Sequence, residues 1–231
     1  MTAFDRASFD RTGAALFAGA LAEADLADLD RLSQWREGAA GVRLVGQPEL
    51  DRLLREDGAL AAIARRVLGA GAKPVRAVLF DKTDTANWSV AWHQDRTIAV
   101  KKRVEVEGFG PWSSKGGVQH VEPPFSMIET MLTLRAHLDS CGAENAPLLV
   151  ARGSHRLGRI PSDRAAAWAA HLDILTCLAD PGDVWAYATP ILHSSDRARR
   201  PARRRVLQVD FSAADLPGGL AWLGTSDRLT P

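Results

Sequence analysis

Trp88-Ser89-Val90-Ala91-Trp92-His93-Gln94-Asp95 alternates in a way that only an extended strand can use. Side chains on a β-strand project to opposite sides with period 2. Ala91, His93 and Asp95 therefore share one face, and Trp88, Val90, Trp92 and Gln94 share the other. One face is polar and carries chemistry; the other is aromatic and branched and can pack.

The same texture continues outward. Residues 75–80 form a β-rich run just before this stretch, residues 88–100 continue it, and strand patterns recur at 127–138, 148–151, 175–178, 184–188, 191–194 and 204–212. From Arg203 to Phe211 the alternation places Arg204, Val206, Gln208 and Asp210 on one face and Arg205, Leu207, Val209 and Phe211 on the other. Many short strands separated by turn signals predict a mainly β fold, a sandwich, barrel or jelly roll of about eight strands. Before this block the period changes. Residues 9–21 read as a short strand. Residues 22–35 read as a helix, with Leu21, Leu26, Leu29, Leu32 and Trp35 at helical spacing, acids early and arginines late. Residues 48–54 and 60–68 read as two more helices, the second stopped by Gly69 and Gly71. Residues 162–171 read as a later one with Ser162 as its N-cap. Residues 108–124 contain Gly108, Gly110, Pro111, Gly116, Gly117, Pro123 and Pro124, too many breakers for a simple hairpin.

We expect one domain over 1–231, with a helical N-terminal layer at 1–72, a β core at 73–212 interrupted by an insertion at 101–124, and a tail at 213–231. The 231 residues suffice to bury a full core, and 46% hydrophobic with 25% charged residues is ordinary globular composition. A net charge of +1 gives no global reason to expect nucleic acid or an anionic membrane as partner. No apolar stretch reaches the roughly 20 residues that span a bilayer. Two cysteines, Cys141 and Cys177, make no disulfide framework, which points to a reducing cytoplasm.

His93 and Asp95 on one strand face, with His193 far along the chain, have the composition of a two-His-one-carboxylate facial triad. Such a triad holds non-haem Fe(II) and leaves positions open. Each part alone has a plainer reading: His-x-Asp arises by chance, and a lone histidine is more often a core residue bonded to a carbonyl. Arg204, eleven residues after His193, adds a guanidinium able to grip a carboxylate at two points. The six arginines within residues 197–205 also fit a solvated basic loop.

Taken together, Trp92-His93-Gln94-Asp95, Leu138-Asp139 through Asn145-Ala146-Pro147-Leu148, Gly153-Ser154-His155, and Pro181-Gly182-Asp183 leading to His193-Ser194-Ser195 and Arg204 resemble the phytanoyl-CoA dioxygenase family of Fe(II)/2-oxoglutarate-dependent oxygenases. The resemblance runs from about residue 75 to 212 and implies a double-stranded β-helix, a cupin-like jelly roll, with iron between its sheets. It implies Fe(II), 2-oxoglutarate and O2 as cofactor and cosubstrates, with His93, Asp95 and His193 on the metal. Arg204 is implied on the 2-oxoglutarate C5 carboxylate, with Ser195 adding a hydroxyl; Arg205 is the alternative if the register slips by one. The activity implied is hydroxylation of a small-molecule C–H with release of succinate and CO2; desaturation and ring formation start from the same chemistry. An aspartate at 95 is similar to the hydroxylases, since the related halogenases lack that carboxylate. Ala146 departs from the family pattern, where Gly is common, and Arg152 stands where Pro is common. In the insertion Trp112 and His120, and before the ligand strand Lys82, are candidate substrate residues, with the insertion as a candidate lid. His155 reads as a turn histidine bonding backbone. A cupin-like isomerase or binding module without 2-oxoglutarate is the rival reading, distinguished by whether Arg204 faces inward.

Overall fold

Asp5 caps the first helix, its carboxylate accepting from the Ser8 amide at 3.0 Å, and Gly13 ends that helix at φ +79°. The computed structural model describes residues 4–34, 38 and 40–226. In chain order they form α1 (Arg6–Thr12), β1 (Ala14–Phe17), α2 (Glu23–Ser33), β2 (Val42–Arg43), a 3-10 turn at Pro48–Leu50, α3 (Asp51–Leu54), α4 (Ala59–Leu68), β3 (Lys73–Lys82), β4 (Val90–His93) and β5 (Ile98–Val100). There follow β6 (Trp112–Lys115), β7 (Val118–Val121), α5 (Phe125–Glu129), β8 (Leu132–His137), β9 (Leu148–Ala151), α6 (Ala165–Ala169), β10 (Ile174–Cys177), β11 (Val184–Ala188), β12 (His193–Ser195) and β13 (Arg204–Ser212).

The strands pair antiparallel into a six-stranded sheet, β1-β11-β8-β13-β3-β2, and a four-stranded sheet, β10-β9-β12-β4. These are the two layers of the jelly roll. A third sheet, β5-β7-β6, joins β5 to the two strands of the insertion. The large sheet shows why strand alternation matters here. Ala77, Leu79, Leu134, Ala136, Leu207 and Val209 project to one face, where Leu29, Leu32, Leu53, Leu60 and Ile63 of the N-terminal helices cover them. Arg76, Val78, Phe80, Lys82, Arg135, Arg204 and Gln208 project to the other and line a cavity beneath the small sheet. The helices thus brace the sheet from behind, which leaves its inner face for polar work.

Several local expectations change. Residues 9–12 are helical, because Asp5 and Gly13 cap them, and only Ala14–Phe17 is strand. The helix expected at 22–35 spans Glu23–Ser33; Trp35 lies outside the described residues. The first 72 residues are not only a helical layer, since β1 and β2 close the two edges of the large sheet. Residues 88–100 are two strands rather than one. Residues 125–129 form a helix that opens on Pro124, whose ring presets φ, so the strand expected from 127 starts at Leu132. Ser162 lies inside a 3-10 turn, and the short helix after it spans Ala165–Ala169.

The insertion does contain a tight hairpin. Lys115 pairs with Val118, and the two residues between, Gly116 at φ +59° and Gly117 at φ +77°, supply the pair of positive φ angles that a two-residue hairpin turn demands. Glycine density there marks a turn rather than disorder of pattern.

Candidate active site

His93 ends β4 and His193 opens β12, and the two pair directly across the small sheet. Asp95 lies just past β4. One side-chain ligand atom from each of His93, Asp95 and His193 lies within 4.8 Å of the others, the one such cluster of three found among the described residues. The two imidazole centroids are 4.2 Å apart. Each ring places Nδ1 against the carbonyl two residues earlier, Ala91 at 2.8 Å and Ile191 at 2.9 Å. A carbonyl can only accept, so Nδ1–H donates and Nε2 keeps its lone pair; such an outer hydrogen bond orients a metal-ligating histidine. Burial, reinforced by His93, pushes the His193 pKa down to about 4, which keeps that imidazole neutral. Burial works to raise the Asp95 pKa, but His193, Arg76 and His93 outweigh it and hold the carboxylate ionised. Two neutral nitrogens and one carboxylate are the donor set a divalent, fairly hard cation takes.

The register across the small sheet is irregular. His193 opposes His93, yet Ser195, two residues on, opposes Val90, three residues back. The extra residue in β4 is a bulge, and it shifts the phase of alternation by one. Val90 and Trp88 therefore join His93 and Asp95 on the cavity wall instead of facing away from them. Gln94 turns into the protein, donating to Pro190 O at 2.7 Å and to Gly158 O at 3.0 Å while its Oε1 accepts from the Ile160 amide.

Arg204 points into the cavity and is 4% exposed. Its Nε has no partner, and its Nη1 approaches only the Cys141 thiol, 3.9 Å away. Arg205 turns outward from the same strand. It grips Asp139 at 2.7 and 2.9 Å and Asp30 at 2.5 Å. The β13 register thus puts Arg204, not Arg205, over the cavity. Directly opposite on β3 sits Lys82. Its ammonium donates to the Asp196 carbonyl at 3.0 Å and to Ser195 Oγ at 3.4 Å, and lies 5.1 Å from the Trp88 ring centre. Ser195 Oγ in turn donates to the Ala146 carbonyl at 3.1 Å. Ala146 has φ +51°, in the left-handed region that favours glycine. Ala146 is the position where the sequence carries Ala against a common Gly. Burial, and after it Arg204 and Arg135, push the Lys82 pKa down to about 8.

Sequence reading overlooked three further charged groups. Arg76 on β3 closes on Asp210 of β13 at 2.5 Å and lies 3.9 Å from Asp95. Burial opposes charge on Arg76, but Asp210 and Asp95 raise its pKa; burial raises the Asp210 pKa against the pull of Arg76. Arg135 on β8 donates to Gln208 Oε1 at 2.8 Å and stacks 5.4 Å from the Phe80 centre. The signal for all three was a charged residue at an alternate position inside an apolar strand run. Trp112 and His120, by contrast, do not line the cavity. Trp112 packs beside the insertion's apolar cluster, under Arg103. His120 is fully buried, with Nδ1 on the Val118 carbonyl. His155 contacts the Asp10 carbonyl at 3.2 Å, as a turn histidine would. Both cysteines are buried and unpaired.

The sequence model of the family described as Phytanoyl-CoA dioxygenase (PhyH) matches residues 9–206. The chain belongs to the phytanoyl-CoA dioxygenase family. The match extends from β13 back into α1, so the helical layer that braces the large sheet is part of the family pattern. No curated protein sequence matches the chain. Among solved structures, AviO1 from Streptomyces viridochromogenes Tue57 is 21% identical with a TM-score of 0.63, covering 94% of this chain and 99% of its own. The non-heme alpha ketoglutarate dependent epimerase SnoN from nogalamycin biosynthesis is 17% identical with a TM-score of 0.64, covering 93% and 88%. HygX from Streptomyces hygroscopicus, solved with nickel and 2-oxoglutarate bound, is 16% identical with a TM-score of 0.60, covering 91% and 87%. At these identities the likeness establishes the fold that the phytanoyl-CoA dioxygenase family shares with them.

Proposed function

We propose that the chain, as one domain, is a non-haem Fe(II)- and 2-oxoglutarate-dependent dioxygenase. It hydroxylates an unactivated C–H of a small metabolite and releases succinate and CO2. The observation that carries this reading is the convergence of His93, Asp95 and His193 on one point beside an inward-facing Arg204 that no carboxylate pairs among the described residues. In this reading the two histidines and the aspartate hold the metal. Arg204 binds the 2-oxoglutarate C5 carboxylate in a fork, and Ser195 and Lys82 complete the anion site. When bound, the iron supplies the oxidising chemistry, with O2 as oxidant and 2-oxoglutarate as the electron source. The rest is the protein's. Nδ1 hydrogen bonds fix both imidazoles, Arg76 steadies Asp95, and Arg204 and Lys82 orient the dicarboxylate. The cavity measures about 390 Å³. This is at the small end of ligand pockets, about 300–1,000 Å³, room for the cosubstrate and the reacting part of a compact substrate. The inward face of Arg204 favours this reading over a cupin-like isomerase, which has no use for a buried free guanidinium. SnoN, named an epimerase, has the same fold, so the fold alone does not fix the reaction outcome.

The test is binding of 2-oxoglutarate to the anaerobic Fe(II) protein, followed through its weak visible charge-transfer band. Arg204→Met should weaken Kd by about 10- to 150-fold, since hydrogen bonds to charged groups contribute about 1.5–3 kcal/mol each. The same variant should be no less stable without cosubstrate, because it removes a buried cation that has no anion. An unchanged Kd would remove Arg204 from the site.

Lys82 adds a pH dependence. Below about pH 8 the ammonium is charged and ready; above it the free protein loses that proton. A bound carboxylate favours the charged form, so binding at higher pH must take a proton up. The affinity for 2-oxoglutarate should therefore fall above about pH 8, approaching tenfold per pH unit, and Lys82→Met should flatten the profile. An identical slope in both proteins would show that Lys82 does not meet the cosubstrate.

A further inference from the structure

The cavity wall is more basic than metal and cosubstrate require. Arg43, Arg76, Lys82, Arg135 and Arg204 line it against one carboxylate, Asp95. Asp210 neutralises Arg76 from behind. In the reading above, Asp95 is committed to the metal, and the 2-oxoglutarate C5 carboxylate meets Arg204 beside Lys82. Arg135 stays shut between Gln208 and Phe80. Arg43 remains. It projects from edge strand β2, whose pairing with β3 sets Arg43 beside Val78, and through Val78 it shares a cross-strand row with Gln208 and Arg135. Its Nε is buried without a partner, and no carboxylate forms an ion pair with it among the described residues. The charged group that acts on it among the described residues is another cation, Arg76. Burial, and after it Arg76, pull its pKa down, and Arg76, Arg43 and Lys115 all act on His120 in the same sense. The insertion hairpin reaches this point too: a Cβ added at Gly116 would sit 3.9 Å from Arg43 Nη1. A half-buried guanidinium among cations, open to a cavity, costs stability unless an anion arrives.

We propose that the substrate carries an oxyanion, a carboxylate or a phosphate, and that Arg43 receives it on the edge-strand side of the cavity. The inference rests on the oxygenase reading. Arg43 is not among the residues that converge on the metal point, His93, Asp95 and His193. A planar guanidinium suits either anion through two parallel hydrogen bonds. Arg43 is then a specificity-determining residue that acts on substrate and leaves the metal and 2-oxoglutarate alone.

The test uses the whole chain loaded with Ni(II) and saturating 2-oxoglutarate, titrated with inorganic phosphate, acetate or, as ionic-strength control, chloride. Melting temperature is the readout, since a ligand that binds the folded state raises it. Phosphate or acetate should raise Tm above chloride in the wild type, and Arg43→Gln should weaken that anion's apparent Kd tenfold or more. The better of the two anions tells a phosphorylated substrate from a carboxylated one. Equal shifts in Arg43→Gln and wild type overturn the proposal, and so does a wild type that responds to neither anion beyond chloride. That second outcome decides the matter even if the variant does not fold. The Fe(II)–2-oxoglutarate band is recorded first on both proteins. Its absence from the wild type would defeat the metal-centre reading itself, whereas its presence with no Arg43-dependent anion binding defeats only this inference.

Discussion

Arg76→Met is expected to lower unfolding free energy by about 3–5 kcal/mol, the cost of breaking a buried ion pair by removing one partner. Arg76 is the cation that faces Asp210 at 2.5 Å, and Asp210 is 3% exposed. Without the guanidinium, Asp210 keeps only Thr133 at 3.1 Å and Gln208 at 3.5 Å, both neutral. Burial already raises its pKa, and loss of Arg76 moves it further in that direction. A carboxyl whose folded pKa lies above its unfolded value stabilises below the unfolded pKa and loses that contribution as pH rises through the folded one. The deficit in the variant should therefore be smaller at pH 5 than at pH 8. Adding Asp210→Asn should recover part of it. Urea unfolding at the two pH values measures both; a loss under about 1 kcal/mol would mean that the pair is not a structural strut.

His93→Ala should bring 2-oxoglutarate-dependent succinate release to background and remove the anaerobic visible band. Loss of an outer partner of a metal ligand already costs about 10- to 100-fold, so loss of a ligand itself should exceed that. His93 sits at the end of β4, half-buried, outside the apolar clusters. Its removal should leave stability within about 1 kcal/mol, because substitutions away from core and buried networks change little. The variant thus separates chemistry from folding. A persisting band would show that the three residues do not share a metal, however close they lie.

The two predictions draw on residues that were not equally visible in the sequence. Alternation along residues 204–212 is local, and it placed Arg204 and Arg205 on opposite sides before any pairing was known; β9, β11 and β13 have the bounds that their patterns predicted. The cluster of His93, Asp95 and His193 was legible because few donor sets suit a divalent cation and the motif order is specific. Arg76 drew no reading, because its partner lies 134 residues away. Trp112 and His120 looked like substrate readers because polar and aromatic residues in a glycine-rich insertion invite that reading; packing turned both away from the cavity. The strand expected at 9–12 failed on a capping pair, Asp5 and Gly13, that was present in the sequence and outweighs the apolar texture between them.

By itself, then, the amino-acid order determined where β9, β11 and β13 run, which side chains share a side of β13, and which three residues have the character to hold a metal. The first two properties depend on neighbours one or two positions apart. Tertiary pairing alone decided that a bulge turns Val90 and Trp88 toward the cavity, that Arg205 is consumed by Asp139 and Asp30, and that Arg43 meets no carboxylate among the described residues. The reason is that a charge in the interior takes its meaning from what lies across the sheet, and that partner comes from a distant part of the chain.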